Sequence, residues 1–373
     1  MIAQALALAG QRKFDEAIAV LDKAVAADPK SVMAIKLRGN ARLIKRDHAG
    51  AIADYNKAME LSPSDASLFV ERGRAYQVLQ DWDRALADFD RANALDAKNA
   101  DAYVGRGNVL ERKRESARAL AEYEKALAIN ARNVGAVAGR ASVLHQQNKL
   151  DPSIAEFDRA PSIYPGHPTL LIGRGNALVA KGRVSEALSD FDRALEIDPG
   201  SSTAMVGRGY ALYVSGQLDR AIVALDNAVA KGVTDATLFV LRGRVHLAKK
   251  DFDKAIADLD RALSLNSDSA DAMAVRGLAF KEKRDYPRAL ADLDRAIALE
   301  AKRIGAHLTR AQVHEAQGKR DLALADLDAM TKMEPKSLAE AAALAEARRL
   351  AEKLKKATPC NGAGRGSGGD TCL

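Results

Sequence analysis

The sequence predicts an all-α protein built as a tandem array of antiparallel helix pairs. Three observations predict it: the chain repeats itself every 34 residues, each repeat carries small and large residues at helical spacing, and prolines and capping residues mark the same places in successive repeats. We number the positions of a repeat from 1 to 34, with position 1 of the second repeat at Val32. Ten repeats then fit residues 1–337 without insertion, the first repeat lacking its first three positions.

The two helices of each repeat are predicted from small and large residues. Positions 20 and 27 are small, apart from Met330, and position 24 is always larger, so the three form one face of a second helix. Position 8 is small and lets a first helix approach the second closely. Position 8 is Ala5, Gly39, Gly73, Gly107, Ala141, Gly175, Gly209, Gly243, Gly277 and Ala311. Position 24 is Leu21, Tyr55, Phe89, Tyr123, Phe157, Phe191, Leu225, Leu259, Leu293 and Leu327.

Proline and short polar residues mark the helix ends. Proline stops the second helix at Pro29, Pro63, Pro165, Pro199 and Pro335. Position 34 supplies a predicted N-cap for the next first helix. These N-caps are Ser31, Asp65, Asn99, Asn133, Ser201, Asp235, Ser269 and Ser337.

After the last repeat, residues 338–357 form one further amphipathic pattern. An open stack of helices needs a terminal element with a polar outer face, so we predict a C-terminal capping helix here. Residues 358–373 are rich in glycine and are predicted to be a flexible tail.

In its length, small residues, position 24 and terminal prolines, this pattern resembles the tetratricopeptide repeat family over residues 1–337. The resemblance implies a right-handed superhelical solenoid of about ten tandem repeats. The family also favours an aromatic residue at position 17, where Trp82 stands, so a packing role is expected for this lone tryptophan.

The fifth repeat departs from the pattern. Pro161 follows Ala160 inside the predicted second helix and should end it early. A local change of superhelical pitch around residues 158–168, acting as a hinge, is one interpretation. A slightly irregular but rigid repeat is the other.

Composition and motifs give no indication of an enzyme. The repeats and the capping helix account for the chain up to about residue 357, so no catalytic domain is left over. The six histidines are scattered, and His246 and His314 occupy an apolar core position. The two cysteines, Cys360 and Cys372, lie in the tail, whose Gly-x-Gly-x-x-Gly pattern lacks the strand and helix that a phosphate loop requires. No cofactor and no metal site are predicted.

The resemblance implies that first-helix positions 2, 5, 9, 12 and 13 line an inner face; we call this surface the first-helix face. Position 5 is largely aliphatic and position 9 is often an amide, a combination that suits an extended peptide. The candidate partner-binding residues are Lys36, Asn40, Arg74, Asn108, Ile172, Asn176, Val206, Tyr210, Tyr213 and Arg244.

Two family functions can be compared with these residues. Lys36 and Asn40 match the first part of a carboxylate clamp for chaperone tails, but Arg74 replaces the next asparagine, so the clamp is not expected. Asn40, Asn108 and Asn176 alternate along the chain, which does not amount to the asparagine ladder of sugar-transferase superhelices.

Position 7 is arginine in all nine complete repeats, from Arg38 to Arg310, and position 23 is acidic in eight of them. We predict that these arginines pair with the acids, inside each repeat or with the second helix of the repeat before. Ala224 breaks the acidic column, and Asp226 is a possible substitute. The arginine row is therefore interpreted as part of the frame and not as a phosphate-binding stripe.

The function expected from these patterns is non-enzymatic protein binding, with a peptide or partner protein in the groove. The alternative is the targeting or substrate-recognition module of a larger enzyme such as a glycosyltransferase. An RNA-binding helical repeat is a weaker alternative, because position 5 is aliphatic and aromatic residues are few. No signal peptide or membrane span is recognisable, which favours the cytoplasm, and the oligomeric state is left open.

Overall fold

The computed structural model describes residues 1–159, 166–335 and 338–356. Every regular element in these ranges is an α-helix, and they contain no strand. The helices are α1 (Ile2–Gly10), α2 (Phe14–Ala27), α3 (Val32–Ile44), α4 (His48–Leu61), α5 (Ala66–Val78), α6 (Trp82–Leu95), α7 (Ala100–Arg112), α8 (Ser116–Ile129), α9 (Val134–Gln146), α10 (Leu150–Arg159), α11 (Pro168–Ala180), α12 (Val184–Ile197), α13 (Ser202–Val214), α14 (Leu218–Ala230), α15 (Ala236–Ala248), α16 (Phe252–Leu265), α17 (Ala270–Glu282), α18 (Tyr286–Leu299), α19 (Ile304–Ala316), α20 (Arg320–Met330) and α21 (Leu338–Lys356).

The first compact unit, Met1–Pro199, contains α1 to α12. Its helices form antiparallel pairs, from α1 with α2 to α11 with α12, and the second helix of each pair packs on the first helix of the next. From α3 to α11, neighbouring first helices also pack side by side. The unit is therefore a stack of helix pairs, as the 34-residue period predicts.

The second compact unit begins at Gly200, and its described part contains α13 to α21. Four helix pairs stack in the same manner, and α21 packs on both α19 and α20. Leu344, Ala347 and Leu354 of α21 are buried in a cluster with Leu308 and Leu327. The prediction of a C-terminal capping helix is thus confirmed.

Side-chain caps fix where the first helices begin. Ser31 accepts a hydrogen bond from the backbone amide of Ala34, and Asn99 accepts one from Ala102 at 3.0 Å. The predicted caps Asp65, Asn133, Ser201, Asp235 and Ser269 all act in the same way. Ser337 lies outside the described residues.

The core forms where small and large residues were predicted to meet. A Cβ atom added to Gly39 would lie 2.8 Å from the ring of Tyr55 in the same repeat. The equivalent distance from Gly209 to Leu225 is 2.6 Å. Only a residue without a side chain lets the two helices of these pairs approach so closely. Trp82 packs against the core cluster around Phe89, which confirms its predicted packing role.

Two predictions fall on residues that are not described. Most of the segment around Pro161, where a hinge or a rigid irregularity was considered, lies in residues 160–165. Residues 357–373, which include both cysteines and the glycine-rich tail, also lie outside the described residues.

Candidate functional site

The structure places the predicted site residues on first helices of both compact units. Asn108 and Asn176 are exposed in the first unit, and Lys36, Asn40 and Arg74 are half-buried. Ile172 also belongs to this unit, whereas four residues belong to the second: Val206, Tyr210, Tyr213 and Arg244. The candidate residues therefore form two separate sets, one in each unit.

Two of the three asparagines are held by tyrosines from second helices. The hydroxyl of Tyr55 donates to Oδ1 of Asn40 at 2.8 Å, and that of Tyr123 donates to Oδ1 of Asn108 at 2.8 Å. Each amide oxygen is thereby fixed toward the core, which leaves the amide nitrogen as the outward donor. Asn176 has no such partner among the described residues, because Phe191 stands at position 24 of its repeat.

A polar network around Glu111 was missed by the sequence reasoning. Its carboxylate accepts hydrogen bonds from Ser142 at 2.7 Å and from Gln146 at 2.5 Å, and it lies 3.0 Å from the hydroxyl of Tyr123, whose single proton it shares with Asn108. Burial raises the pKa of Tyr123, and the charge of Glu111 raises it further, so the phenol stays a donor. The network joins the first-helix faces of the fourth and fifth repeats. The pattern that could have indicated this network is the set of polar residues at positions 9, 12 and 13. Each of them alone is indistinguishable from an ordinary surface residue.

The two predicted arginines are held by aspartates from the next repeat. Arg74 donates to Asp101 at 3.0 Å, and Arg244 donates to Asp271 at 2.6 Å. Arg303 also donates to Asp271, at 2.6 Å. Burial alone would raise the pKa of Asp271, but attraction and hydrogen bonds from the two arginines outweigh it and hold the pKa below its ordinary value.

Lys36 has a weaker tie, a 3.2 Å hydrogen bond from its ammonium to the hydroxyl of Ser67. Most charged candidates are therefore occupied by neighbours and positioned by them. A partner would have to compete for these groups or bind beside them.

Tyr210 and Val214 are the large apolar side chains that stand most open on the first-helix face of the second unit. They lie one helical turn apart on α13 and are 47% and 48% exposed. Tyr213 lies between them in sequence and is half-buried. Neither tyrosine hydroxyl has a hydrogen-bond partner in the described part of the chain, so both remain able to bind a partner.

The arginines at position 7 pair with the acids at position 23, as predicted. Six are bidentate: Nε and Nη2 donate to both carboxylate oxygens, as in Arg276 with Asp292 at 2.7 Å for each bond. The six bidentate pairs are Arg38–Asp54, Arg72–Asp88, Arg174–Asp190, Arg242–Asp258, Arg276–Asp292 and Arg310–Asp326. Where the acid is a glutamate, the contact is single: Arg106 with Glu122 and Arg140 with Glu156.

The same arginines bind a second partner that the sequence reasoning mentioned only as an alternative. Nη1 of Arg174 donates to Asp158, at position 25 of the previous repeat, at 2.9 Å, and Nη1 of Arg242 donates to Asp226 at 2.8 Å. Asp226, the predicted substitute in the acidic column, therefore binds the arginine of the following repeat. Each arginine of this type ties two repeats together, and hydrogen bonding to Asp190 raises the pKa of Arg174.

The histidines at the apolar first-helix position are shielded from solvent. His246 is buried and His314 half-buried, and burial lowers the pKa of both imidazoles. In residues 1–159, 166–335 and 338–356, no three His, Cys, Asp or Glu side chains come together as a metal site requires. None of the helices in these ranges combines the length and apolar character that a bilayer crossing needs.

A family model described as tetratricopeptide repeat matches residues 2–66, 70–134, 112–168, 172–236 and 240–304, well over half of the chain. A comparison with curated proteins finds none that matches.

Solved structures share the fold at low sequence identity. A tetratricopeptide repeat protein from Parabacteroides merdae is 19% identical, with a TM-score of 0.53 over 67% of this chain and 99% of that one. Yeast Tom70 is 15% identical, with a TM-score of 0.51 over 95% and 94% of the two chains. A human IFIT1 dimer with PPP-AAAA is 17% identical, with a TM-score of 0.63 over 87% and 83%. At these identities the likeness concerns the fold alone.

Proposed function

Because the chain belongs to the tetratricopeptide repeat family, we propose that it is a non-enzymatic scaffold that binds a peptide or a partner protein on its first-helix face. The observation that carries the proposal is the open apolar surface of Tyr210 and Val214. Large aromatic side chains at the centre of an interface contribute much of its binding energy. The rest of the face supplies the groups that hold an extended backbone.

The asparagines support this proposal because two of them are fixed before any partner arrives. Asn40 and Asn108 are oriented by Tyr55 and Tyr123, so little side-chain entropy is lost when their amide nitrogens donate to a peptide carbonyl. The aliphatic side chains of position 5 offer apolar contact within each unit, among them Ile172 in the first and Val206 in the second.

The test is a crosslinking pulldown with single variants of the second unit. Tyr210→Ala removes the exposed ring from the first-helix face. Val223→Ala is the matched control, because Val223 is 60% exposed but lies on the second helix α14. We expect Tyr210→Ala to lose captured partners and Val223→Ala to retain them. Equal capture by both variants would place the binding surface elsewhere.

A further inference from the structure

The turn between the two helices of a repeat has a left-handed residue at position 15. Glycine, which adopts a positive φ without strain, stands there in Gly182, Gly216 and Gly318. Five other repeats have a basic residue there, which strains the backbone relative to glycine. These residues and their φ values are Arg12 (61°), Arg46 (65°), Arg114 (61°), Lys250 (62°) and Arg284 (61°).

The backbone amides at these positions close the helix end, as in the 3.1 Å hydrogen bond from Arg46 to the carbonyl of Leu43, but the side chains take no part in it. Arg46, Arg114, Lys250 and Arg284 are all exposed, and none of their side chains has a hydrogen bond or ion pair within the described ranges. Arg12 differs, since it contacts Asp198 at 3.5 Å. A side chain that is unpaired, exposed and carried on a strained backbone contributes nothing visible to the fold, which motivates a search for a function.

The positive charge of the molecule is concentrated at these turns. The ten intra-pair turns contain fourteen Lys or Arg residues and only five Asp or Glu residues. The turns that join one pair to the next hold six basic and seven acidic residues, counting only those whose residues are all described. Five of the fourteen are lysines paired with aspartates on the second helix of the repeat before, and the others still outnumber the acids of these turns. Within each unit, we call the edge that its intra-pair turns form the turn edge.

A second set of lysines, at position 14, lies next to the strained residues. Lys45 is paired with Asp15 of the previous repeat at 2.9 Å, and Lys113 with Asp83 at 2.7 Å. The turn edge is therefore a row in which carboxylates alternate with cations. Neighbouring first helices lie roughly 10 Å apart, so successive unpaired cations, such as Lys250 and Arg284, are spaced by about that distance.

We propose that the turn edge of each unit is a second interaction surface, separate from the first-helix face, that binds an acidic segment of a partner protein. An extended chain advances about 3.3 Å per residue, so carboxylates three residues apart match cations spaced by one repeat. A nucleic acid fits less well, because its closely spaced phosphates would lie against Asp15, Asp83 and their equivalents.

The test uses glycine variants, which remove charge and strain together. In the full chain, Arg46, Lys250 and Arg284 are replaced by glycine, the residue that three other repeats have at this position. The triple variant keeps its fold, because the left-handed backbone suits glycine, and its melting temperature should not fall. The control is a triple variant that carries Lys57→Ala, Arg193→Ala and Arg261→Ala. These three cations are exposed, lie on second helices and have no ion pair among the described residues.

Binding of fluorescently labelled poly-L-glutamate at low ionic strength is the measurement. We expect the glycine variant to bind about tenfold more weakly than the native chain and the control to bind nearly as well, since each lost exposed pair changes the affinity by a few-fold. An equal loss in both variants, or no binding by the native chain, would overturn the proposal. Tighter binding of oligothymidylate or of phosphatidylserine vesicles than of polyglutamate would show that the partner class is wrong.

Discussion

Repeats 3 to 5 in the first unit and repeats 8 to 10 in the second fill the same frame in different ways. In repeats 3 and 4 of the first region, the aromatic ring at position 24 lies between two glycines: Phe89 packs on Gly73 of its own repeat and on Gly105, at position 6 of the next. A Cβ atom on Gly105 would lie 2.4 Å from that ring. Tyr123 lies in the same way between Gly107 and Gly139.

The second region has leucine at position 24 and larger residues at position 6. Leu293 packs on Gly277 within its repeat, but position 6 of the next repeat is Thr309. Leu259 is followed in the same way by Val275. A leucine at position 24 is smaller than an aromatic ring, and the larger residue at position 6 of the next repeat fills the difference. The packed volume between repeats is therefore kept. The comparison shows that a small residue at position 8 is needed for the two helices of one repeat to pack. The size of the residue at position 6 depends instead on position 24 of the repeat before.

The arginine pairs are what the two regions share, and removing the buried acid should have the largest effect. Asp190→Ala in the first unit and Asp258→Ala in the second should each lower the free energy of unfolding by about 3 kcal/mol, because a half-buried arginine loses its bidentate partner. Native-state hydrogen exchange of the affected helix pair is the measurement. Partner binding should remain nearly intact.

The control replaces the exposed acid that binds the same arginine. Asp158→Ala and Asp226→Ala remove the second partner of Arg174 and Arg242, and each should cost at most about 1 kcal/mol, since these carboxylates are more than half exposed. If the loss in free energy of unfolding differed between the two units, the arginine pairs would not have the same structural role in both. Lost binding with unchanged stability would contradict a structural role for the arginines.

Glycine at position 6 gives the next largest effect and should matter only in the aromatic region. Gly139→Ala places a Cβ atom 2.3 Å from the ring of Tyr123, so overpacking should lower the free energy of unfolding by about 2 kcal/mol in urea titrations. Gly305→Ala is the matched control, because nothing lies within 4 Å of its added Cβ atom. There the gain in helix propensity should stabilise the protein by up to about 1 kcal/mol. Equal effects at the two glycines would show that the aromatic ring yields to the added methyl group.

Much of this frame could be predicted from the sequence. The helix pairs, the caps such as Ser31 and the pairing of Arg174 with Asp190 follow from patterns that recur at fixed positions within one repeat. The dependence of Gly105 on Phe89 was harder to predict because it crosses from one repeat to the next. Such a relation becomes visible only when position 24 of each repeat is compared with position 6 of the repeat that follows.

The candidate site was less predictable than the frame. Residue type placed Asn108 and Arg74 on the first-helix face, but it did not indicate that Tyr123 and Asp101 would already bind them. Hydrogen bonds between side chains depend on distances of a few tenths of an ångström, and a helical pattern does not fix these. Whether these residues bind a partner stays a prediction.

The smallest effect is the most direct test of volume exchange between repeats. Leu293→Phe brings the aromatic ring of the first region into the second, where Thr309 occupies the space that a glycine would leave, and should cost about 1 to 2 kcal/mol by overpacking. Thr309→Gly alone should cost about 1 to 2 kcal/mol, because it leaves a void at a buried position and lowers helix propensity. If volume is exchanged across this interface, the double variant is more stable than the sum of the single effects by about 1 kcal/mol, measured as a double-mutant cycle in urea. Additive effects would mean that the introduced ring does not reach position 6 of the next repeat, and the difference between the two regions would then lie within single repeats.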